Sequence, residues 1–405
     1  MKYSGVQWIG DIPKTWRVTK VKECFYISKE KAHQEKPVVL SLARSGIKVR
    51  DISSNEGQLA ASYEDYNPVI PGDLLLNPMD LYSGANCNVS EVFGVISSAY
   101  INLRKKFDLN PKYFDYYFKV QYWSMAMFAH GKGVSFDNRW TMNTEAVLNY
   151  YLPYPTLEKQ NQIANFLNRK CTEIDSLIQN QEKQIEKLKE YKKLKITEIL
   201  GINERSGERL KFYLSEQMMY GANESGYSYN DGYVRYIRIT DITNDGKLKN
   251  SDDNQYLPFD KAEPYLLEED DILFARSGGT VGKSFIYKIT GESAAFAGYL
   301  IKAKCNKIKL LPEYLYFFTQ SSKYDSWKNM IFIQATIQNI GANKYSNMPI
   351  FVPTIEKQQE IINSIVLLNS KIDKLISIKQ EKIQKLKDYK KSLIYEYVTG
   401  KKEVY

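Results

Sequence analysis

Histidine is nearly missing from this chain. His33 and His130 are the two it has, and neither stands beside a second ligand type at metal-binding spacing. That argues against a zinc site or an imidazole acid–base centre, and both are expected in surface or internally satisfied polar roles. Cysteine is scarce as well: Cys24, Cys87, Cys171 and Cys305 lie far apart, with no C-x-x-C pair. Neither a disulfide framework nor a zinc knuckle is expected, and a reducing cytoplasm fits. No stretch approaches the ~20 apolar residues of a membrane span. Residues 1–10 lack the apolar core of a signal peptide, so a cytoplasmic location is expected.

Catalytic motifs are also lacking. Gly278-Gly279-Thr280-Val281-Gly282-Lys283-Ser284 has the end of a phosphate-binding loop, but the position that needs the first glycine is Ser277. Asn77-Pro78-Met79-Asp80 echoes a methyltransferase tetrad without the aromatic residue that would stack on a flipped base. No paired carboxylates and no Ser/His arrangement stand out. The expectation is a binding protein with no catalytic residue, metal or cofactor of its own.

What is there is size and repetition. A chain of 405 residues exceeds one ordinary core. Its 43% hydrophobic and 25% charged residues fit a soluble globular protein. The net charge of +9 permits a polyanionic partner without identifying one. Pro155-Thr156-Leu157-Glu158-Lys159-Gln160 returns as Pro353-Thr354-Ile355-Glu356-Lys357-Gln358, an offset of 198 positions. The register holds without a gap: Ile174-Asp175 returns as Ile372-Asp373, and Lys187-Leu188-Lys189-Glu190-Tyr191 as Lys385-Leu386-Lys387-Asp388-Tyr389. The preceding regions correspond more weakly, Pro71-Gly72-Asp73-Leu74 with Glu269-Asp270-Asp271-Ile272 and Tyr100 with Tyr299. The chain is a tandem duplication in which two divergent domains are each followed by a near-identical segment.

Each segment reads as one long helix. Apolar residues recur at heptad spacing through Leu167, Cys171, Ile174, Ile178, Gln181, Ile185 and Leu188. The copy runs through Ile365, Asn369, Ile372, Ile376, Lys379, Ile383 and Leu386. Lys, Glu and Gln fill most other positions, as a two-helix seam with a solvated outer face requires. Proline is absent from both interiors, so each helix can run from Glu158 to Ile199 or Glu356 to Tyr397, roughly 60 Å. Pairing of the two copies within the chain is simpler than an intermolecular coil. Gln181 and Lys379 hold the same seam position, a polar layer suited to fixing register. The globular halves read as mixed α/β (α+β) class. Short strands are expected at Val38–Leu42, Asp73–Leu76, Val92–Ile96, Tyr233–Ile239, Asp271–Phe274 and Phe285–Ile289. Aromatic helices are expected at Tyr113–Gln121 and Tyr314–Ser321.

These residues resemble a known family, the specificity subunits of type I restriction–modification enzymes. Ser4-Gly5-Val6-Gln7-Trp8-Ile9-Gly10-Asp11-Ile12-Pro13 is similar to their typical opening. The two Pro-x-x-Glu-Lys-Gln segments resemble the starts of their spacer helices. Tyr220-Gly221-Ala222-Asn223, Arg235-Tyr236-Ile237-Arg238 and Asp271-Ile272-Leu273-Phe274-Ala275-Arg276-Ser277-Gly278 resemble one recurring type of target-recognition domain.

The resemblance implies target-recognition domains over residues 1–155 and 202–352, with spacer helices over 156–201 and 353–400. It implies an intramolecular antiparallel coiled coil with pseudo-twofold symmetry, and a bipartite double-stranded DNA target read one half per domain. Two methyltransferase (modification) subunits and restriction/translocase subunits would be the protein partners. S-adenosylmethionine, ATP and Mg would belong to those subunits. A coiled-coil interaction scaffold, or an orphan recognition protein, is the alternative. Base edges favour Arg, Lys, Asn and Gln, and phosphates favour Lys, Arg, Ser and Thr. On that basis the candidate DNA contacts in the first domain are Arg44, Ser45, Lys48, Arg50, Lys132 and Arg139. In the second they are Tyr220, Asn223, Arg235, Arg276, Ser277, Lys283, Gln334, Thr336 and Gln338.

Overall fold

The repeated Pro-x-x-Glu-Lys-Gln motif begins each long helix and ties it to the domain before it. The computed structural model describes residues 1–33, 37–44, 46–52, 62–79, 81, 86–133, 140–202, 207–243, 246–249, 253–288, 291–333 and 338–404. In it the helices span Leu157–Leu200 and Ile355–Val398. Thr156 and Thr354 cap them, each hydroxyl accepting the backbone N–H three residues on, at 3.4 Å.

The motif glutamines are fully buried. Gln160 Oε1 accepts the N–H of Asn110 at 3.0 Å while its Nε2 donates to the Pro155 carbonyl at 3.0 Å. Gln358 Oε1 accepts the N–H of Leu311 at 2.8 Å, and its Nε2 donates to the carbonyls of Lys309 and Pro353, both at 2.8 Å. Asn110 and Leu311 stand immediately before the aromatic helices Pro111–Trp123 and Pro312–Phe318. Proline suits the first helical position because its missing N–H has no partner there.

The chain forms two compact units, Met1–Gln181 with Glu381–Tyr405, and Glu182–Gln380. The first is built on a four-stranded antiparallel sheet ordered Phe25–Ile27, Ile101–Lys105, Leu74–Leu76, Cys87–Val89. The aromatic helix lays Tyr113, Phe114, Tyr117, Phe118 and Tyr122 into its core. Each large side chain so buried contributes ~1.5–3 kcal/mol of transfer free energy. Tyr122 Oη donates to the Asn77 carbonyl at 2.5 Å and Tyr113 Oη to the Val398 carbonyl at 2.9 Å, so these rings also satisfy backbone. Buried Asp73 is held by a fork from Arg104, with Nε and Nη2 both at 2.9 Å from its oxygens.

In the second unit a sheet of the same order runs Met219–Tyr220, Leu300–Ala303, Ile272–Ala275, Ser284–Ile286. Beside it, Tyr233–Ile237 pairs antiparallel with Gln255–Pro258 and parallel with Ala294–Phe296. One core joins Ile272, Phe274, Ile301, Tyr314 and Leu315 to the helix residues Ile196, Leu200, Ile361 and Ile365. The second aromatic helix is shorter than its sequence pattern suggests, and a further helix, Ser322–Ile333, follows it. Buried Ser321 causes the break: its hydroxyl donates to the Phe318 carbonyl at 2.7 Å and accepts the Tyr324 N–H at 3.2 Å.

The long helices pair antiparallel within each unit, as expected. In the first, the Phe166 ring lies 4.5 Å from that of Tyr397, and Lys390 reaches Asp175 at 2.7 Å. In the second, Lys192 meets Asp373 at 2.8 Å and Lys379 donates to Gln184 Oε1. Leu167, Ile174, Ile178, Gln181, Ile185, Ile372 and Ile383 are buried, and Leu188, Ile376, Lys379 and Leu386 are half-buried. Among the described residues no helix is long and apolar enough to cross a membrane. All four cysteines are buried and none forms a disulfide, and burial pushes the thiols of Cys24 and Cys305 up to about 11 and about 12.

The glutamine bonds make a stability prediction. Gln358→Leu keeps the volume but strands one buried N–H and two carbonyls, each worth ~1–3 kcal/mol when unpaired. The urea transition of the full chain should shift by at least ~3 kcal/mol, and Gln160→Leu should act likewise. A shift below ~1 kcal/mol would show that the motif glutamine is dispensable.

Candidate nucleic-acid interface

The central strand Ile272–Ala275 of the second unit is buried along its whole length and emerges at Arg276. The chain there is pinned on both sides: Arg276 N–H donates to the Tyr299 carbonyl at 2.9 Å, and its carbonyl accepts the Ile340 N–H at 2.9 Å. Ser277 bridges Asn339. Gly278 at φ +76° and Gly282 at φ +82° then turn the backbone where a side chain would be strained. A Cβ on Gly282 would also stand 2.2 Å from Lys328 Cδ.

The Arg276 guanidinium carbon sits 5.0 Å from the centre of the Tyr220 ring, a cation–π stack. Tyr220 Oη accepts the Ala342 N–H at 3.0 Å, doing the capping work for the short helix Ala342–Ser346, whose own cap residue is Gly341. Tyr220, Arg276, Ser277 and Gln338 therefore meet at one edge of the unit. Asn223 is exposed just beyond Ala222, whose N–H and carbonyl are tied to Phe296 and Gly298 at 2.8 and 2.7 Å. The approach is so close that a Cβ on Gly221 would lie 2.2 Å from the Phe296 carbonyl oxygen.

Two candidates do not join this edge. Arg235 Nη2 donates inward to the Lys249 carbonyl at 2.6 Å and to Asn254 Oδ1 at 3.2 Å. Lys283 is half-buried beside Ile239, Ile242 and Thr280. Gln334 and Thr336 lie outside the described residues. Sequence reasoning missed Tyr299, 61% exposed and supplying the carbonyl that holds Arg276, and the exposed pair Tyr227 and Tyr229. Their signal was the excess of tyrosine, which core packing hides.

In the first unit Arg44, Lys48 and Arg50 share one hairpin, Leu40–Ala43 with Gly46–Val49. Arg44 and Lys48 are exposed, and Arg50 is half-buried with its N–H on the Val39 carbonyl at 2.8 Å. Lys132 is separate and exposed; it bridges Thr141 and lines an open cleft of about 290 Å³ with His130, Asn143, Glu145 and Asn149. Ser45 and Arg139 lie outside the described residues.

The exits from the two central strands share one backbone bond. Met142 N–H donates to the Pro78 carbonyl at 2.9 Å, the bond that Ile340 makes to Arg276, and both residues are displaced by 198 positions. The side chains differ: Pro78 stands for Arg276, and Trp140 for Gln338. Asn143, standing for Gly341, caps its helix itself, accepting the Ala146 N–H at 2.8 Å. One backbone frame thus presents two unlike surfaces.

Residues 219–388 match the family model described as the type I restriction modification DNA specificity domain. A chain from a type I R–M system, studied for its complex assembly and conformational transition, superposes with a TM-score of 0.71. Its identity is 13%, with 96% of this chain and 98% of that chain covered. At that identity the likeness establishes a shared fold. The HsdS subunit from Thermoanaerobacter tengcongensis superposes with a TM-score of 0.47 at 14% identity, covering 96% of this chain and 98% of that one. No curated protein matches the chain.

The capping role of Tyr220 is testable. Tyr220→Phe keeps the ring but removes the acceptor for Ala342 N–H, a loss of about 1 kcal/mol. Hydrogen exchange at that amide should quicken ~5-fold, with the rest of the unit unchanged; an unaltered rate would remove Tyr220 from the cap.

Proposed function

We propose that this chain is a type I restriction–modification specificity subunit and that each of its two units reads one half of a split DNA target. One observation carries the reading: two sheets of identical strand order deliver different side chains at exits held by the same backbone bond, Arg276 in one and Pro78 in the other. Residues 1–218 lie outside the matched family model. Their kinship to the second unit rests on the repeat and on the shared strand order.

The chain works by binding, and chemistry is left to others. Two methyltransferase subunits would dock to make an adenine-N6 methylase, and restriction/translocase subunits would complete the nuclease. S-adenosylmethionine, ATP and Mg would be held by those partners. The buried, high-pKa thiols are unsuited to nucleophilic work, since the thiolate is the reactive form.

The test is modularity. Exchanging residues 1–155 for the matching segment of another specificity subunit should change one half-site, mapped by methylated-base sequencing of the partner complex, and leave the other intact. Both halves changing together would refute independent readout. The purified chain alone should neither methylate nor cut DNA with any cofactor added. Turnover shown free of contaminating subunits would overturn the division of labour.

A further inference from the structure

Resting on the function just proposed, we infer that Arg276 reads a guanine in the half-site of the second unit, with Tyr220 as the ring that holds its guanidinium flat. The first support is position. The backbone of Arg276 is bonded to Tyr299 on one side and Ile340 on the other, so the side chain departs from a rigid point at the end of a buried strand. Precision of this kind comes from regular elements more readily than from loops.

The second support is availability. Neighbouring arginines are committed inside the unit: Arg235 to the Lys249 carbonyl, and Arg238 by Nε and Nη2 to Asp241 at 3.2 and 3.0 Å. The Arg276 guanidinium has no hydrogen-bond or ionic partner among the described residues, and it lies over the Tyr220 ring. A cation that served only to stabilise the fold would be expected to meet a carboxylate or a carbonyl.

The third support is shape. Tyr220 is itself held by the bond between its Oη and the Ala342 N–H, so its ring is a fixed plate rather than a loose side chain. With its carbon over the ring, 5.0 Å from the centre, and no hydrogen-bond partner among the described residues, the guanidinium has N–H groups free to donate. A pair of them matches the O6 and N7 acceptors of guanine in the major groove. Lysine can reach the same acceptors, but as a point charge without a planar fork it cannot both stack on the ring and present a flat pair of donors. The first unit has Pro78 at the corresponding exit, which donates nothing, so its half-site has no guanine read from this position.

The experiment uses the full chain with its methyltransferase subunits on a duplex library randomised across the target, with methylated products sequenced. Arg276→Ala and Arg276→Lys should each lose guanine preference at one base pair of the second half-site, by about 5- to 150-fold. Preferences at every other position should persist. Tyr220→Phe, which keeps the ring but frees it from the Ala342 N–H, should weaken the guanine preference less than Tyr220→Leu, which removes the stacking face. Thermal melting of each variant complex separates readout from misfolding, since only readout alters preference at a single base pair. A uniform fall across all sequences would make Arg276 a phosphate contact and overturn the inference, as would an unchanged profile or a change in the first half-site. If the unmodified complex shows no sequence preference at all, the function proposed above fails, and this assignment with it.

Discussion

An aromatic helix that starts on proline leaves the N–H of the preceding residue facing inward, with neither helix nor strand to accept it. Gln160 and Gln358 meet that need with a buried amide, whose oxygen takes the N–H and whose nitrogen binds carbonyls of the approach to the long helix. Glutamate would supply no donor, and leucine neither donor nor acceptor. Because the same amide touches the start of the aromatic helix and the start of the spacer helix, it sets one against the other. The sheet, the aromatic core and the exit strand are all built on that junction.

Once the frame is held, the recognition edge is free to diverge. The bond from Met142 to Pro78 and that from Ile340 to Arg276 are the same bond in two units, yet the flanking side chains share nothing. Even local capping has been reassigned: Asn143 caps its own helix, whereas Gly341 leaves the task to Tyr220 from a distant strand. That reassignment turns Tyr220 into a platform. Its hydroxyl is fixed by structure, and its ring becomes a support for Arg276.

The seam of the long helices shows how a repeat tolerates polarity. Apolar layers supply most of the burial, while Gln181 and Lys379 interrupt them at one heptad position. Lys379 donates to Gln184 Oε1, so the polar layer is hydrogen-bonded within the helix pair of the second unit. A polar residue in a seam lowers stability but penalises shifted registers more, because those would leave it unpaired. The Lys192–Asp373 and Lys390–Asp175 pairs decorate the rim and contribute little each, at most ~1 kcal/mol when exposed.

Much of the architecture was legible from the residues alone. An offset of 198 positions that holds without a gap through the two helical segments, proline-free heptads and two Pro-x-x-Glu-Lys-Gln motifs establish duplicated domains and paired helices, because periodicity and helix signals are local properties of the chain. The grouping of Tyr220, Arg276, Ser277 and Gln338 was legible only as a set of residue types. Their meeting depends on pairings between distant segments, Tyr220 with Ile301, Ala275 with Leu300 and Ser277 with Asn339, which no local pattern encodes. The same distance hid the inward commitment of Arg235, whose acceptors come from a loop after its own strand. Ser321 broke an expected helix through two hydrogen bonds that exist only once it is buried. The motif glutamines were visible as letters, but their purpose was not, since a buried amide acquires its role from the groups that the fold places around it.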